Sequence, residues 1–213
     1  MNIALINEKS QAAKNALIFN VLKAHAEERG HEVCNYGMFG EDDRHEINFT
    51  QIGIMASVLL ESGAADFVVT GCGTGQGAMI SCNAFSNVVC GFAATPLDAH
   101  LFAQVNAGNA ISIPYAQSFG WGSELNLGYI FDALFSEEFG RGYPEVYAEG
   151  QAKSRIRMME ATKLPAQRPV LEALELMDAR VLKDLFGYQQ FSELFFNHAH
   201  PGELTDFISS LIG

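Results

Sequence analysis

The chain is poor in basic residues and has no long apolar segment. Its 213 residues contain 13 lysines and arginines against 25 aspartates and glutamates, a formal net charge of −12. Because a nucleic-acid backbone is bound by a basic face, this balance argues against nucleic acid as a partner. It leaves room for a small phosphorylated molecule held by a few arginines in a pocket. The apolar runs are too short to span a bilayer, so we expect no membrane segment.

Cysteine is also scarce, and its pattern does not indicate a disulfide framework. The four cysteines form no C-x-x-C pair and lie in apolar or glycine-rich surroundings, which is typical of reduced cytoplasmic thiols. The N-terminus begins directly with a predicted strand and lacks the basic region and longer apolar core of a signal peptide. We therefore expect a cytoplasmic protein.

Apolar strands alternate with amphipathic helices as far as about residue 136. The pattern predicts strands over residues 2–6, 31–36, 66–70, 88–93 and 110–113, and helices over 10–29, 49–60, 77–85, 96–105 and 125–135. This order predicts a Rossmann-like three-layer α/β/α sandwich with a five-stranded parallel sheet. Ligands of such folds bind beyond the carboxyl ends of the strands.

The composition changes after about residue 137. A basic segment over 152–163 reads as helical, prolines mark a linker over 164–169, and 170–213 predicts two or three amphipathic helices rich in phenylalanine. We expect an α/β domain over residues 1–163 and a helical extension over 164–213, packed on that domain or on a dimer partner.

The richest signal is a glycine loop after the third predicted strand. Residues 67–79 read Phe-Val-Val-Thr-Gly-Cys-Gly-Thr-Gly-Gln-Gly-Ala-Met, with glycines at four alternate positions. Glycines allow backbone N–H groups to approach an anionic ligand closely, and the following helix adds partial positive charge. Cys72 is the one reactive side chain in the loop, so the segment predicts either a nucleotide site or a thiol-based catalytic site.

Two nucleotide-binding interpretations lack a residue that each requires. Gly71-Cys-Gly-Thr-Gly resembles the first motif of S-adenosylmethionine-dependent methyltransferases, but Val69 stands where that motif has an acidic residue. Gly73-Thr-Gly-Gln-Gly-Ala matches the G-x-G-x-x-A pattern of dinucleotide folds. Both need an acidic residue for the ribose at the end of the next strand, and the strand over 88–93 ends without one.

A third interpretation accounts for more of the chain. Cys72-Gly-Thr-Gly-Gln-Gly, with Asn83 eleven residues after the cysteine, resembles the pattern C-G-T-G-x-G-x-x-x-x-x-N of the ribose-5-phosphate isomerase type B / galactose-6-phosphate isomerase family. Asn106-x-x-Asn109 is similar to a His-Asn-x-x-Asn segment of that family, and Pro96 and Phe49 occupy matching positions. The resemblance extends over roughly residues 1–140.

The resemblance implies an aldose–ketose isomerase that needs no cofactor or metal. Cys72 is then the base that moves a proton between C1 and C2 of an opened sugar phosphate, and Thr74 hydrogen-bonds the sulfur or the substrate. Family members pair as dimers and complete each site with the second subunit, so a homodimer or higher homo-oligomer is expected. The resemblance assigns substrate binding to further residues: Glu8, Lys9, Gly73, Gly75, Gly77, Asn83, His100, Asn106 and Arg141.

The chain departs from the family at the residues that open the sugar ring. An Asp-His pair after the first strand is replaced by Glu8 and Lys9, and the histidine before Asn106 is replaced by Val105. His100 is a substitute or a surface residue, and Arg155 and Arg157 either join Arg141 at a phosphate or form a solvated helix face. The substrate is then a different sugar phosphate or one that needs no ring opening. The alternative is a binding protein that keeps the loop without catalysis.

Two other features leave alternatives open. His198-Ala-His200 is either a metal-binding pair or an exposed turn before Pro201. Trp121 lines the mouth of the pocket or fills the core.

Overall fold

A computed structural model describes residues 1–117 and 119–213. Five parallel strands form one sheet in the order β2-β1-β3-β5-β4. Their bounds are β1 Asn2–Asn7, β2 Glu32–Asn35, β3 Phe67–Cys72, β4 Cys90–Phe92 and β5 Ala110–Pro114. The sheet order puts β3 at the centre, and the register aligns its carboxyl end with those of β1 and β5, pairing Gly71 with Asn7 and Cys72 with Pro114.

Helices cover both faces of the sheet, so the predicted three-layer α/β/α architecture is confirmed. Those of the layers are α1 Asn15–Glu27, α2 Phe49–Glu61, α3 Gln76–Asn83, α4 Pro96–Leu101 and α5 Ser123–Leu134. The predicted first helix begins as a 3-10 segment, Lys9–Lys14, and the helix predicted over 96–105 continues from α4 as a π-helix, Phe102–Asn106.

The second part of the chain is helical, as predicted, but more divided. It contains α6 Ala148–Met158, a π-helix Met159–Lys163, α7 Leu164–Ala166, α8 Val170–Glu175, α9 Ala179–Phe186, α10 Gln189–His198 and α11 Glu203–Ile212. A short 3-10 segment, Glu145–Tyr147, precedes α6. The prediction of two or three helices after residue 170 is wrong, because breaks after Glu175, Phe186 and His198 divide that segment into four.

The core has two parts, one on each face of the sheet. One lies under α1, α4 and α5 and includes Leu5, Val69 and Ile111. The other lies under α2 and α3, and phenylalanines of the extension belong to it. Phe191 is 1% exposed, with its ring centroid 5.5 Å from that of Tyr36 beyond β2. The extension therefore packs against the sheet domain of its own chain. Within the described residues, no helix combines the length and the hydropathy needed to cross a membrane.

Candidate active site

Cys72 is the last residue of the central strand, and its side chain lies at the start of the glycine loop. It is 8% exposed, so it is largely buried but still reachable from the loop. Its Sγ lies 3.9 Å from the hydroxyl oxygen of Thr74, within hydrogen-bonding distance for sulfur. The same hydroxyl accepts a long hydrogen bond, 3.4 Å, from the backbone N–H of Gln76 at the first turn of α3. Thr74 thus connects the thiol to the amino end of that helix, where negative charge is favoured.

Two of the loop glycines are required by close packing and by backbone conformation. A Cβ at Gly71 would lie 2.2 Å from the carbonyl oxygen of Ile113 and 2.4 Å from the ring of Tyr115. Gly75 has φ 72° and precedes α3, a left-handed conformation that other residues rarely adopt. These constraints press the loop against β5 and fix the direction in which α3 begins.

The environment of Gly73 is different, because this residue is partly exposed and an added methyl group would meet only ordinary contacts. A Cβ at this position would have no neighbour closer than 3.6 Å, the distance to Ala116 Cβ and to Gln11 Nε2. The carbonyl oxygen of Gly73 accepts a hydrogen bond from the N–H of Ala116, so the backbone of this partly exposed residue is held in place. Gly73 directly follows Cys72 at the carboxyl edge of the sheet.

Glu8 follows β1 and lies at the same edge as Cys72. It is 6% exposed, and its carboxylate accepts hydrogen bonds from the backbone N–H of Ser10 at 2.9 Å and from the Ser10 hydroxyl. These contacts cap the 3-10 segment that follows. Lys9 points away from this position and forms an ion pair with Glu46 at 2.5 Å, in which both side chains are more than half exposed.

Sequence reasoning missed a pair of polar residues on the 3-10 segment. Lys14 Nζ donates to Gln11 Oε1 at 2.7 Å and to the carbonyl oxygen of Tyr115, and lies 4.4 Å from the ring centroid of Phe119. Burial lowers the pKa of the Lys14 ammonium. The available signal was the spacing of two polar residues by three positions just after the first strand. They place a cation and an amide at the carboxyl edge of the sheet.

Asn7 was also missed. Its side chain is fully buried at the end of β1, opposite Gly71, and its amide has no hydrogen-bond partner among the residues that the structure describes. A buried amide usually has a partner, so this one offers unused hydrogen-bonding capacity near the loop.

Asn83 lies at the other end of α3 from the loop. Its Nδ2 donates to the carbonyl oxygens of Cys90 at 2.8 Å and Met79 at 3.1 Å, and its Oδ1 accepts from the N–H of Cys90 at 3.0 Å. The amide therefore attaches the end of α3 to the start of β4. The structure shows this role, and the substrate contact predicted for Asn83 stays a prediction.

His100, Asn106 and Arg141 form a second group. Asn106 ends the π-helix four residues before β5 begins, at the amino edge of the sheet. Arg141 lies on a turn whose neighbouring glycines donate N–H groups to the carbonyls of residues 103 and 104, and forms an exposed ion pair with Glu137 at 3.5 Å. The His100 ring packs edge-on against Tyr143. Since the six residues of β3 extend roughly 17 Å, Asn106 and Cys72 of one chain lie at opposite edges of the sheet.

A groove of about 890 Å³ lies beside Asn106. It is lined by the π-helix and by α6, including Val105, Lys153 and Arg155. The guanidinium of Arg155 donates to the carbonyl oxygens of Val105 at 2.9 Å and Gly140 at 3.4 Å. Arg155 therefore holds two backbone segments together, and Arg157 is exposed on the same helix.

A thiol in a glycine loop at the carboxyl end of the central strand, with polar groups around it, is a candidate catalytic site in an α/β fold. The sequence profile of the Ribose/Galactose Isomerase family matches residues 3–138. The chain belongs to this family and is an isomerase. The methyltransferase and dinucleotide interpretations of the loop are therefore set aside.

Two solved structures resemble the chain over its whole length. A 4-deoxy-L-threo-5-hexosulose-uronate ketol-isomerase, solved with a tartrate, is 47% identical with a TM-score of 0.96, covering 100% of this chain and 99% of its own. Ribose-5-phosphate isomerase LacAB_rpiB from Vibrio parahaemolyticus is 46% identical with a TM-score of 0.94, covering 99% of each chain. Ribose-5-phosphate isomerase B of Clostridium thermocellum, 18% identical with a TM-score of 0.61 over 78% of this chain and 100% of its own, shares the fold. No curated protein sequence matches the chain.

Proposed function

We propose that the protein interconverts an aldose and its ketose, with Cys72 as the proton carrier. The supporting observation is the position of this thiol at the end of the central strand, beside Thr74 and the partly exposed Gly73. The thiolate removes the proton from C2, and the electron pair of that C–H bond forms the C1–C2 double bond of an enediolate. The thiol then returns the proton to C1 as the C2 carbonyl forms.

The oxygen atoms also exchange a proton in this scheme. The C2 hydroxyl loses its proton and O1 gains one, so a group beside both oxygens is needed. We assign this transfer to Glu8, a buried carboxylate at the end of the neighbouring strand. Backbone N–H groups of the loop and the positive end of α3 stabilise the negative charge of the enediolate.

The substrate that we favour is an open-chain hexosulose-uronate, the class named for one of the two full-length relatives. A 4-deoxy sugar with a carbonyl at C5 has no hydroxyl on C4 or C5 with which its C1 aldehyde could close a furanose or pyranose ring. It therefore requires no acid to open a C1 hemiacetal ring, which agrees with Lys9 and Val105 at the positions where a histidine was expected. Lys9 forms an exposed ion pair with Glu46. The guanidinium of Arg155 donates to backbone carbonyls. We therefore assign neither cation to the substrate.

A sugar phosphate, as the sequence predicts, is the second candidate. The relative from Vibrio parahaemolyticus is named as a ribose-5-phosphate isomerase and is nearly as similar to this chain. Ribose 5-phosphate or galactose 6-phosphate would need cations for the phosphate, and Arg141, with its exposed ion pair, is the residue we assign to it. The two candidates differ in their acidic group, and the proton transfer at Cys72 is common to both.

We further propose that two copies of the chain complete each site. Asn106, His100 and Arg141 lie away from the Cys72 loop of their own chain, so a second copy must bring them to it. Trp121, fully exposed rather than in the core, and the half-exposed Leu125 and Tyr129 on α5 provide apolar surface for subunit contact. A cytoplasmic location remains part of this proposal, supported by the apolar or glycine-rich surroundings of the four cysteines in the sequence.

Turnover by purified Cys72→Ala tests the proton carrier. The wild-type protein should isomerise 4-deoxy-L-threo-5-hexosulose-uronate faster than ribose 5-phosphate or galactose 6-phosphate, and Cys72→Ala should have no measurable turnover with an unchanged melting temperature. The matched control is Cys82→Ala, which removes a buried thiol of the same α/β domain outside the loop. Turnover retained by Cys72→Ala would refute the mechanism. Calorimetric binding of these sugars by the wild type without their turnover would contradict the proposed substrates.

Mixing two inactive variants tests the shared site. Cys72→Ala and Asn106→Ala are each expected to be inactive as homodimers. A mixed dimer has one site that carries both substitutions and one that carries neither, so random exchange of subunits should restore about a quarter of wild-type activity. If mixing restores none while exchange is shown by mass spectrometry, each site belongs to a single chain.

A further inference from the structure

The extension brings a histidine to two potential metal ligands on the edge strand of the sheet. Glu32 and Cys34 are alternate residues of β2, so their side chains lie on the same face of the strand. His198, the last residue of α10, lies over them. Its Nε2 is 3.6 Å from Cys34 Sγ and 3.8 Å from Glu32 Oε1, and all three ligand atoms lie within 4.8 Å of one another.

The two separations from His198 Nε2 are close to those around a tetrahedral zinc ion. With Zn–S of about 2.3 Å, Zn–N of about 2.0–2.1 Å and Zn–O of about 2.0–2.2 Å, a tetrahedral angle separates sulfur from nitrogen by about 3.5–3.6 Å, and nitrogen from a carboxylate oxygen by about 3.4 Å. The observed separations of 3.6 and 3.8 Å differ from these by a few tenths of an ångström. An ion can therefore enter with small side-chain adjustments.

The orientation of His198 is a second, independent observation. Its Nδ1 lies 2.8 Å from the carbonyl oxygen of Leu194, and a carbonyl only accepts, so Nδ1 carries the hydrogen. In the neutral ring, the lone pair then lies on Nε2 and faces Cys34 and Glu32. Metal-binding histidines are characteristically fixed in this way, with the other ring nitrogen donating to a carbonyl or carboxylate.

We propose that Glu32, Cys34 and His198 bind a divalent cation of the zinc type, with water at the fourth position. Thiolate, imidazole and carboxylate together suit zinc better than magnesium or calcium, which prefer oxygen ligands. The Glu32 side chain is 65% exposed, which leaves an entry path and room for the water. Bound there, the ion joins α10 to β2 and attaches the extension to the sheet.

The site differs from the metal-binding pair that the sequence left open as one alternative. The pair His198-Ala-His200 does not act together, because the backbone N–H of His200 donates to the carbonyl oxygen of Ser62 at 2.7 Å and its ring lies against Gly63. The partners of His198 come instead from β2, more than 160 residues earlier. The family profile ends at residue 138, so the histidine belongs to the part of the chain outside it.

Cobalt and zinc titrations of the metal-free, full-length protein test this site. We expect one equivalent of Co²⁺ to produce a thiolate-to-cobalt charge-transfer band that Zn²⁺ removes, and Zn²⁺ to raise the melting temperature. Cys34→Ser should abolish the band. Loss of a residue that only orients a ligand typically weakens metal binding 10–100-fold. His198→Gln removes a ligand itself, so it should weaken Zn²⁺ binding by at least about tenfold. The matched control His200→Gln should bind as the wild type does.

Glu32 is the exposed ligand, so its substitution tests zinc binding without disturbing the packed core. Glu32→Gln changes a side chain at the surface, and it should weaken zinc binding while leaving the melting temperature of the metal-free protein unchanged. Absence of stoichiometric binding to the wild type would overturn the proposal and leave a simple hydrogen bond between Cys34 and His198. Binding that is unchanged in both Cys34→Ser and His198→Gln would also overturn it.

Discussion

Two glycines of the Cys72 loop should respond in opposite ways to the same added methyl group. In Gly71→Ala, the new Cβ would lie 2.2 Å from the carbonyl oxygen of Ile113 and 2.4 Å from the Tyr115 ring, so it overpacks the centre of the sheet. In Gly73→Ala, the nearest atoms would be 3.6 Å away. The first substitution therefore perturbs the fold, and the second enters the space that we assign to the substrate.

The expected stability changes follow from these contacts. Overpacking a core typically costs about 1–3 kcal/mol, and we expect about 3 kcal/mol for Gly71→Ala because a backbone atom of β5 obstructs the methyl group. For a chain of this size, each kcal/mol lowers Tm by about 2–4 °C, so Tm should fall by about 6–12 °C. Gly73→Ala should leave Tm unchanged or raise it slightly, because alanine restricts the unfolded chain by about 0.4–1 kcal/mol.

For Gly73→Ala, we expect the loss in catalytic activity rather than in stability. Misplacing a substrate by about 1 Å can cost roughly 100-fold in rate, so Gly73→Ala should lower kcat/KM by about that factor while the protein stays folded. Calorimetric melting and initial rates of isomerisation, measured on the same preparations, separate the two effects. A stable and fully active Gly73→Ala would place the substrate elsewhere, and an unchanged Tm for Gly71→Ala would contradict the close packing of the loop.

Two further predictions concern packing and pH. Phe191→Ala removes a buried ring beside Tyr36 and should cost about 3–5 kcal/mol, or roughly 6–20 °C in Tm; an unchanged Tm would show that the extension contributes little to the core. Burial alone would raise the pKa of the Asp132 carboxyl, but hydrogen bonds and attraction from His25 and Arg29 hold it below its usual value. A lowered pKa stabilises the fold above about pH 4, the unfolded-state value, and this contribution is lost as the pH falls through the folded-state pKa. Urea denaturation should therefore show Asp132→Asn less stable than wild type at neutral pH, with a gap that narrows in acid; a constant gap would contradict this.

The fold was predictable because its signals are local. Apolar strands and periodic helices are visible in short segments, and the strand bounds moved by only one or two residues. The predicted third strand stops at Thr70, whereas β3 continues to Cys72, because Gly71 and Cys72 still pair with Ile113 and Pro114 of β5. That pairing involves a strand about 40 residues away, which a local pattern does not reveal.

The candidate site was predictable only in its loop. The order of cysteine, threonine and glycines identifies the loop, but Gln11 and Lys14 were read as part of a regular helix. In the structure they belong to a 3-10 segment whose geometry depends on Glu8 as its cap. The predicted number of helices in the extension was wrong for a related reason, because short helices are stabilised by packing more than by their own periodicity.

The proposed mechanism assigns substrate specificity to residues outside the Cys72 loop. The two full-length relatives are named for different substrates yet are about equally similar to this chain, at 47% and 46% identity. Proton transfer between neighbouring carbons is common to both named activities, so the Cys72 loop alone cannot distinguish them.

What differs between the two substrates is the acidic group, a carboxylate or a phosphate, at the far end of the sugar. We propose that, in the dimer, that end faces residues of the second subunit around Asn106 and Arg141. Substitutions there should change which acid is accepted, measured as the ratio of kcat/KM for the two substrates, whereas substitutions in the loop should lower both values together.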